Sequence, residues 1–159
     1  VITIIHRDRD FMSDGEVERL RAKYKLQNAG STKLFVTTGS DIEAYFTARA
    51  HLAHVLGISD DDARILVEST IQETQNEFTI KFYTKRAEIK QTLYKEDPDE
   101  CPKAEDLLPG HVVPVEKALG KLLAKKLGPK IQGRGLNAGV LLNASDGLAD
   151  PGFQALLRE

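Results

Sequence analysis

At 159 residues and 17.6 kDa, with a formal charge of −2 and a pI near 6.1, the chain has the length of one domain and can bury roughly 70% of its unfolded surface without staples. Charge this close to neutral excludes a globally basic nucleic-acid coat protein, although a local patch still binds phosphate. Cys101 is the sole cysteine, which excludes a disulfide framework and a cysteine-rich zinc centre and points to a reducing, cytoplasmic setting. No stretch has the length and apolarity of a membrane span or the make-up of a secretory leader. The sequence opens on Val1 inside an apolar run, so the expectation is a piece of a longer protein.

Val1-Ile2-Thr3-Ile4-Ile5 is a run of β-branched residues and predicts a buried strand. The next residues are charged. On an extended backbone, residues two apart leave the same face, so Asp8 and Asp10 present their carboxylates together at the carboxyl end of the strand, where open α/β sheets place ligands. Two like charges held that close call for a cation. Arg7 and Arg9 point the other way, to solvent or to salt-bridge partners. Ser13 and Glu16 have the spacing of a capping box and predict a helix over Asp14–Leu26 with Val17, Leu20 and Tyr24 on its inner stripe. Asn28-Ala29-Gly30-Ser31 ends it. Lys33–Thr38 predicts a second strand, parallel to the first in a βαβ unit. Ser40-Asp41-Ile42-Glu43 repeats the capping pattern and predicts a helix from Asp41 to Leu56, closed by Gly57. Residues 1–57 therefore read as an α/β unit.

Residues 58–159 read as a helical region. Ser59 followed by three aspartates suits a helix N-terminus, and Val67, Ile71, Phe78, Phe82, Ile89 and Leu93 recur at spacings of four and seven. One long helix with a narrow seam follows, although Phe78–Phe82 also satisfies a strand's alternation across Asn76–Thr84. Four prolines between Glu96 and Pro114 predict a linker. A helix over Val115–Leu127 is expected to stop at Gly128-Pro129, weaker helical signals occupy Gly135–Ala144, and Asp150-Pro151 opens a last helical turn.

Several residues have chemistry within reach. Asp8 and Asp10 are oxygen donors of the kind Mg²⁺ or Mn²⁺ takes. Glu16 either caps its helix through the Ser13 amide or turns toward the two aspartates as a further ligand; Glu43 carries the same ambiguity. His51 and His54 share a helix face but lack companions at ligand spacing, and Cys101 has no histidine partner. Lys117, Lys121, Lys125, Lys126, Lys130 and Arg134 occupy a stretch without a single acid. The first three fall on one face at four-residue intervals, which suits a phosphate backbone as well as a solvated face. No Walker A motif is present.

The run Ile5-His6-Arg7-Asp8-Arg9-Asp10 with Glu16 behind it, and Thr38–Phe46 after the second strand, resembles the second half of a Toprim domain of the OLD-nuclease type. Residues around Ala118–Leu123 are similar to the helical tail of such proteins. The resemblance implies an α/β fold with a partial Toprim-like parallel sheet at the N-terminus followed by a helical C-terminal region. It also implies Mg²⁺-dependent (or Mn²⁺-dependent) cleavage of DNA, with Asp8, Asp10 and Glu16 as metal ligands and Lys121 near the scissile phosphate. An upstream ATPase domain is the partner the resemblance implies; a homodimer is a separate expectation. Toprim domains also use a glutamate from an earlier strand, which no residue before Asp8 supplies. Two other readings stand beside this one. One is a haloacid-dehalogenase-type phosphatase with Asp8 as nucleophile and Asp10 as acid/base. The other is a non-catalytic interaction or dimerisation module built on the Val67–Leu93 seam.

Overall fold

The structure is a computed structural model and describes residues 3–27 and 32–158. Strand β1 (Thr3–Arg7) and strand β2 (Thr32–Val36) form a two-stranded sheet. They pair in parallel, with Thr3 opposite Thr32 and Arg7 opposite Val36. Helix α1 (Asp14–Gln27) connects them, so the expected βαβ unit is present. Val1, Ile2 and the turn at Asn28–Ser31 lie outside the described residues.

β1 departs from the expected buried strand. Thr3, Ile5, His6 and Arg7 are all exposed, Ile5 to 38%. A parallel sheet hides its strands only when both faces are covered. Here β2 receives that cover: α1 and the last helix, α7 (Pro151–Arg158), both pack against it.

Beyond β2 the chain is helical. The expected Asp41–Leu56 helix is broken into a 3-10 stretch (Ile42–Thr47) and α2 (Arg49–Leu56) by an extended Ala48. Its Ser40–Glu43 capping box does not form, because the Ser40 hydroxyl donates to the Ala118 carbonyl at 2.6 Å and Asp41 caps instead. The expected long helix after Ser59 is two helices, α3 (Asp60–Glu73) and α4 (Gln75–Leu93). They meet at Thr74, whose hydroxyl bonds back to the Thr70 carbonyl at 2.6 Å, a local bond that competes with the helical ladder. Residues 76–84 are helix rather than strand, and every seam residue from Val67 to Leu93 is buried.

The proline-rich stretch is held, not loose. It contains a short helix α5 (Ala104–Leu107) and sends Leu108 and Val113 into the core. The Gln75 side chain bonds both the amide and the carbonyl of Val113, each at 3.0 Å. Helix α6 starts later and ends later than expected, at Gly120–Gln132. Ala118 and Leu119 are extended, which leaves Lys117 in a separate 3-10 turn. Gly128-Pro129 does not end the helix. Pro129 forfeits one bond near the last turn, while Leu127 and Ile131, both fully buried, anchor the backbone on either side.

One core joins these pieces. Leu52, Leu56, Phe78, Phe82, Leu127 and Ile131 share it with Phe11, which meets Phe82 edge-on with ring centres 4.9 Å apart. Residues on both sides of Gly57 thus contribute to the same apolar cluster. Asp150 caps α7 by accepting from the Phe153 amide at 2.8 Å, as its sequence context predicts, and also accepts from the Thr38 and Tyr45 hydroxyls. Among the described residues no helix is long and apolar enough to cross a membrane.

Candidate metal centre at the end of the first strand

β1 ends at Arg7, so the two aspartates leave irregular backbone rather than a continuing strand. Asp10 takes a left-handed conformation with φ of 50°, which an aspartate tolerates better than most residues. The extended-backbone argument for a shared face therefore does not hold. Asp8 and Asp10 both border a cleft of about 220 Å³ that runs between α1 and α4. Met12, Tyr24 and Leu93 form part of its wall, and Glu88 adds a third carboxylate to its rim.

Each aspartate is held by one carboxylate oxygen. Asp8 Oδ1 accepts from the Ile42 amide at 3.1 Å and stands 3.2 Å from His6 Nε2. Asp10 Oδ1 lies 3.3 Å from Lys85 Nζ, and the same ammonium is 3.1 Å from Glu88. Burial pushes the Asp10 carboxyl above its ordinary pKa; Lys85 pulls the other way, and the nearby Asp8 and Glu88 charges add to the push. For Lys85, burial acts against the ammonium, yet Glu88 and Asp10 outweigh it and hold its pKa above the usual lysine value.

Glu16 lies apart from this arrangement. It completes the expected capping box, accepting from the Ser13 amide at 2.9 Å, and both its oxygens face Arg86 at 2.8 Å. Glu16 and Arg86 are 2% and 3% exposed at their side chains. Burial alone would raise the Glu16 pKa, but the Arg86 and Ser13 bonds outweigh it and hold it below the usual carboxylate range. As placed, Glu16 cannot reach Asp8 and Asp10 without giving up a buried ion pair. Among the described residues no three His, Cys, Asp or Glu side chains are gathered tightly enough to hold a metal by themselves.

Asp41 performs a task that sequence reasoning missed. One oxygen accepts from the Ala44 amide at 3.0 Å and the Gly120 amide at 2.8 Å, and the other accepts from the Lys121 amide at 3.1 Å. A single buried carboxylate thus caps two helices and brings the first turn of α6, with Lys121, beside the acidic turn. Its pKa is raised, chiefly by burial; the two α6 amides oppose this, and the Glu43 and Asp8 charges add to it. Gly120 permits the approach, since a Cβ there would fall 2.0 Å from the Ala44 nitrogen.

The basic stretch divides. Lys117, Lys121, Lys125 and Arg134 are exposed, whereas Lys126 pairs with Glu77 and Lys130 with Glu73 at 2.8 Å. With Lys117 outside α6, the expected face of Lys117, Lys121 and Lys125 is not formed on one helix. Lys117 instead borders a second cavity, of about 440 Å³, together with Asp10, Ser13 and Thr38. His51 and His54 also separate. His51 is fully buried, with ring nitrogens 2.7 Å from the Ser145 hydroxyl and 2.8 Å from the Leu141 carbonyl, and His54 is exposed. Cys101 sits 3.7 Å from the Arg86 guanidinium.

Lys85 and Glu88 were legible only as seam neighbours of Phe82 and Ile89. Nothing in their spacing marks them as partners of Asp10. No protein-family model, curated protein or solved structure matches the chain.

Proposed function

We propose that this chain is the C-terminal part of a Mg²⁺- or Mn²⁺-dependent endonuclease of the Toprim type found in OLD-family proteins, acting on DNA in the cytoplasm together with an ATPase domain of the same polypeptide. The observation that supports the reading is the convergence of Asp8 and Asp10 on one cleft at the carboxyl end of a parallel strand. Mg²⁺ is commonly held by one or two carboxylates, completing its shell with waters and substrate phosphates, so a pair of aspartates suits it without a third protein ligand. The ion would supply an activated water and stabilise the leaving oxygen. In this chain, Asp8 and Asp10 orient the donor oxygens through the Ile42 amide and the irregular turn. Lys121 stands at the first turn of α6, whose backbone Asp41 holds through the Gly120 and Lys121 amides. Lys117, Lys125 and Arg134 add exposed positive charge for the substrate backbone, and Lys126 and Lys130 contribute less while paired to Glu77 and Glu73.

The Val67–Leu93 seam is occupied by this chain's own core, which leaves little of it for a partner helix. The endonuclease reading is therefore preferred to the interaction module.

The test is melting temperature against Mn²⁺ or Mg²⁺. A divalent ion that binds the folded chain alone stabilises it by about 2.7 kcal/mol at a hundred times its dissociation constant. Asp8→Asn and Asp10→Asn should each remove most of that gain, while Glu16→Gln should leave its size unaltered. A melting temperature indifferent to both metals would refute the reading.

A further inference from the structure

We infer that Lys85 is a tethered cation that competes with a divalent ion for Asp10 and lets go of it when the ion binds. The inference rests on the metal reading above and concerns how that site is regulated.

The geometry is that of an internal competitor. The Lys85 ammonium stands between two carboxylates on different elements, Asp10 at 3.3 Å and Glu88 at 3.1 Å. Asp10 meets it from a turn in which its own backbone is left-handed, with φ of 50°. The pair is only partly withdrawn from water, with side-chain exposures of 32% for Lys85 and 24% for Asp10, so it can open without unfolding anything. The next residue behaves differently: Arg86 is 3% exposed and clamped to Glu16. The backbone at the middle of α4 is thus fixed, while a flexible four-carbon stem carries the Lys85 charge. A rigid base with a movable cation is what an exchange requires. Because coupling between two ligands is reciprocal, whatever Lys85 takes from metal affinity, the metal takes from the Lys85 contact.

The experiment titrates Mn²⁺ into the whole chain by calorimetry, in the wild type, in Lys85→Gln and in Lys85→Arg. Removing the charge should tighten Mn²⁺ binding by about fivefold or more, the lower end of typical coupling. Lys85→Arg, which keeps the charge, should retain the wild-type constant. In parallel, amine acylation read by mass spectrometry should label Lys85 faster when Mg²⁺ is saturating, with Lys23, which lines the cleft from α1, unchanged. That arm uses the wild type and decides the matter even if a variant fails to fold. Equal or weaker Mn²⁺ binding by Lys85→Gln, with the wild type binding the ion, would overturn the inference and leave the metal site standing. Lys85 acylation that Mg²⁺ leaves unchanged, in a protein that binds the ion, would overturn it in the same way. No Mn²⁺ binding in any of the three forms would remove the metal reading and the inference together.

Discussion

Replacing Glu16 by Gln tests whether that carboxylate is structural. Its side chain is 2% exposed, and its two oxygens meet the two terminal nitrogens of Arg86 at 2.8 Å each. Arg86 in turn donates to the carbonyls of Phe11 and Pro102, so the guanidinium cannot swing out to water when its partner is neutralised. Removing one member of a buried pair strands the other and costs about 3–5 kcal/mol. For a chain of this length, where 1 kcal/mol moves the melting temperature by about 2–4 °C, the fall should be on the order of 6–20 °C. Urea unfolding of Glu16→Gln, Arg86→Met and the double variant measures the free-energy loss, and the double should lose less than the sum of the singles. The pH dependence has a definite sign. Glu16 is held below its ordinary pKa, so its contribution is complete above the unfolded value near about 4.3 and disappears as pH falls through the folded value. The acid limb of Glu16→Gln should be correspondingly flatter. A loss under about 1 kcal/mol, or an unaltered acid limb, would refute the buried-pair account.

Gly120→Ala should cost more than about 3 kcal/mol by urea midpoint, because the new Cβ meets backbone, at 2.0 Å from the Ala44 nitrogen and 2.3 Å from the Glu43 carbonyl carbon, rather than a yielding side chain; a cost under about 1 kcal/mol would mean that α6 stands further from the Ile42–Thr47 stretch. In DNA binding, replacing Lys121 and Lys125 by Ala should flatten the log–log salt dependence by roughly 0.9 per lost phosphate contact. Replacing Lys126 and Lys130 should do less, since Glu77 and Glu73 already neutralise them, and equal effects from both pairs would show that those ion pairs open on binding.

The parts of the fold that were legible in the sequence are those dictated by local chemistry. The Ser13–Glu16 box, the Asp150-Pro151 start, the parallel βαβ unit and the buried seam all follow from spacing and side-chain type. What failed were continuities. Ala48, Thr74 and the Ala118-Leu119 pair interrupt expected helices, and none of them is a strong breaker. Two of the interruptions come with a specific bond: Thr74 on Thr70, and, at Ala118-Leu119, Ser40 on Ala118 and Asp41 on Gly120. Pro129 shows the converse, a strong local stop overruled by Leu127 and Ile131. The site was legible in the same measure. The candidate residues Asp8 and Asp10 stand out by their position after the strand, but Lys85 and Glu88, which the structure sets beside Asp10, come from a helix whose register against β1 no local pattern states.

The acidic turn is consequently a joint product of both halves of the chain. The Asp8 carboxylate is held by an amide that follows β2, and that of Asp10 by an ammonium on α4. The helix behind the turn is pinned by Glu16 to Arg86, one residue along from that ammonium. Residues 1–57 contain every acid of the expected metal site, yet among the described residues the contacts their carboxylates make within that span are those with the Ile42 amide, His6 and Ser13. Arg86, Lys85 and Glu88 all come from α4. The helical region is therefore part of the construction of the acidic turn: it supplies the cation that faces Asp10 and the guanidinium that holds Glu16.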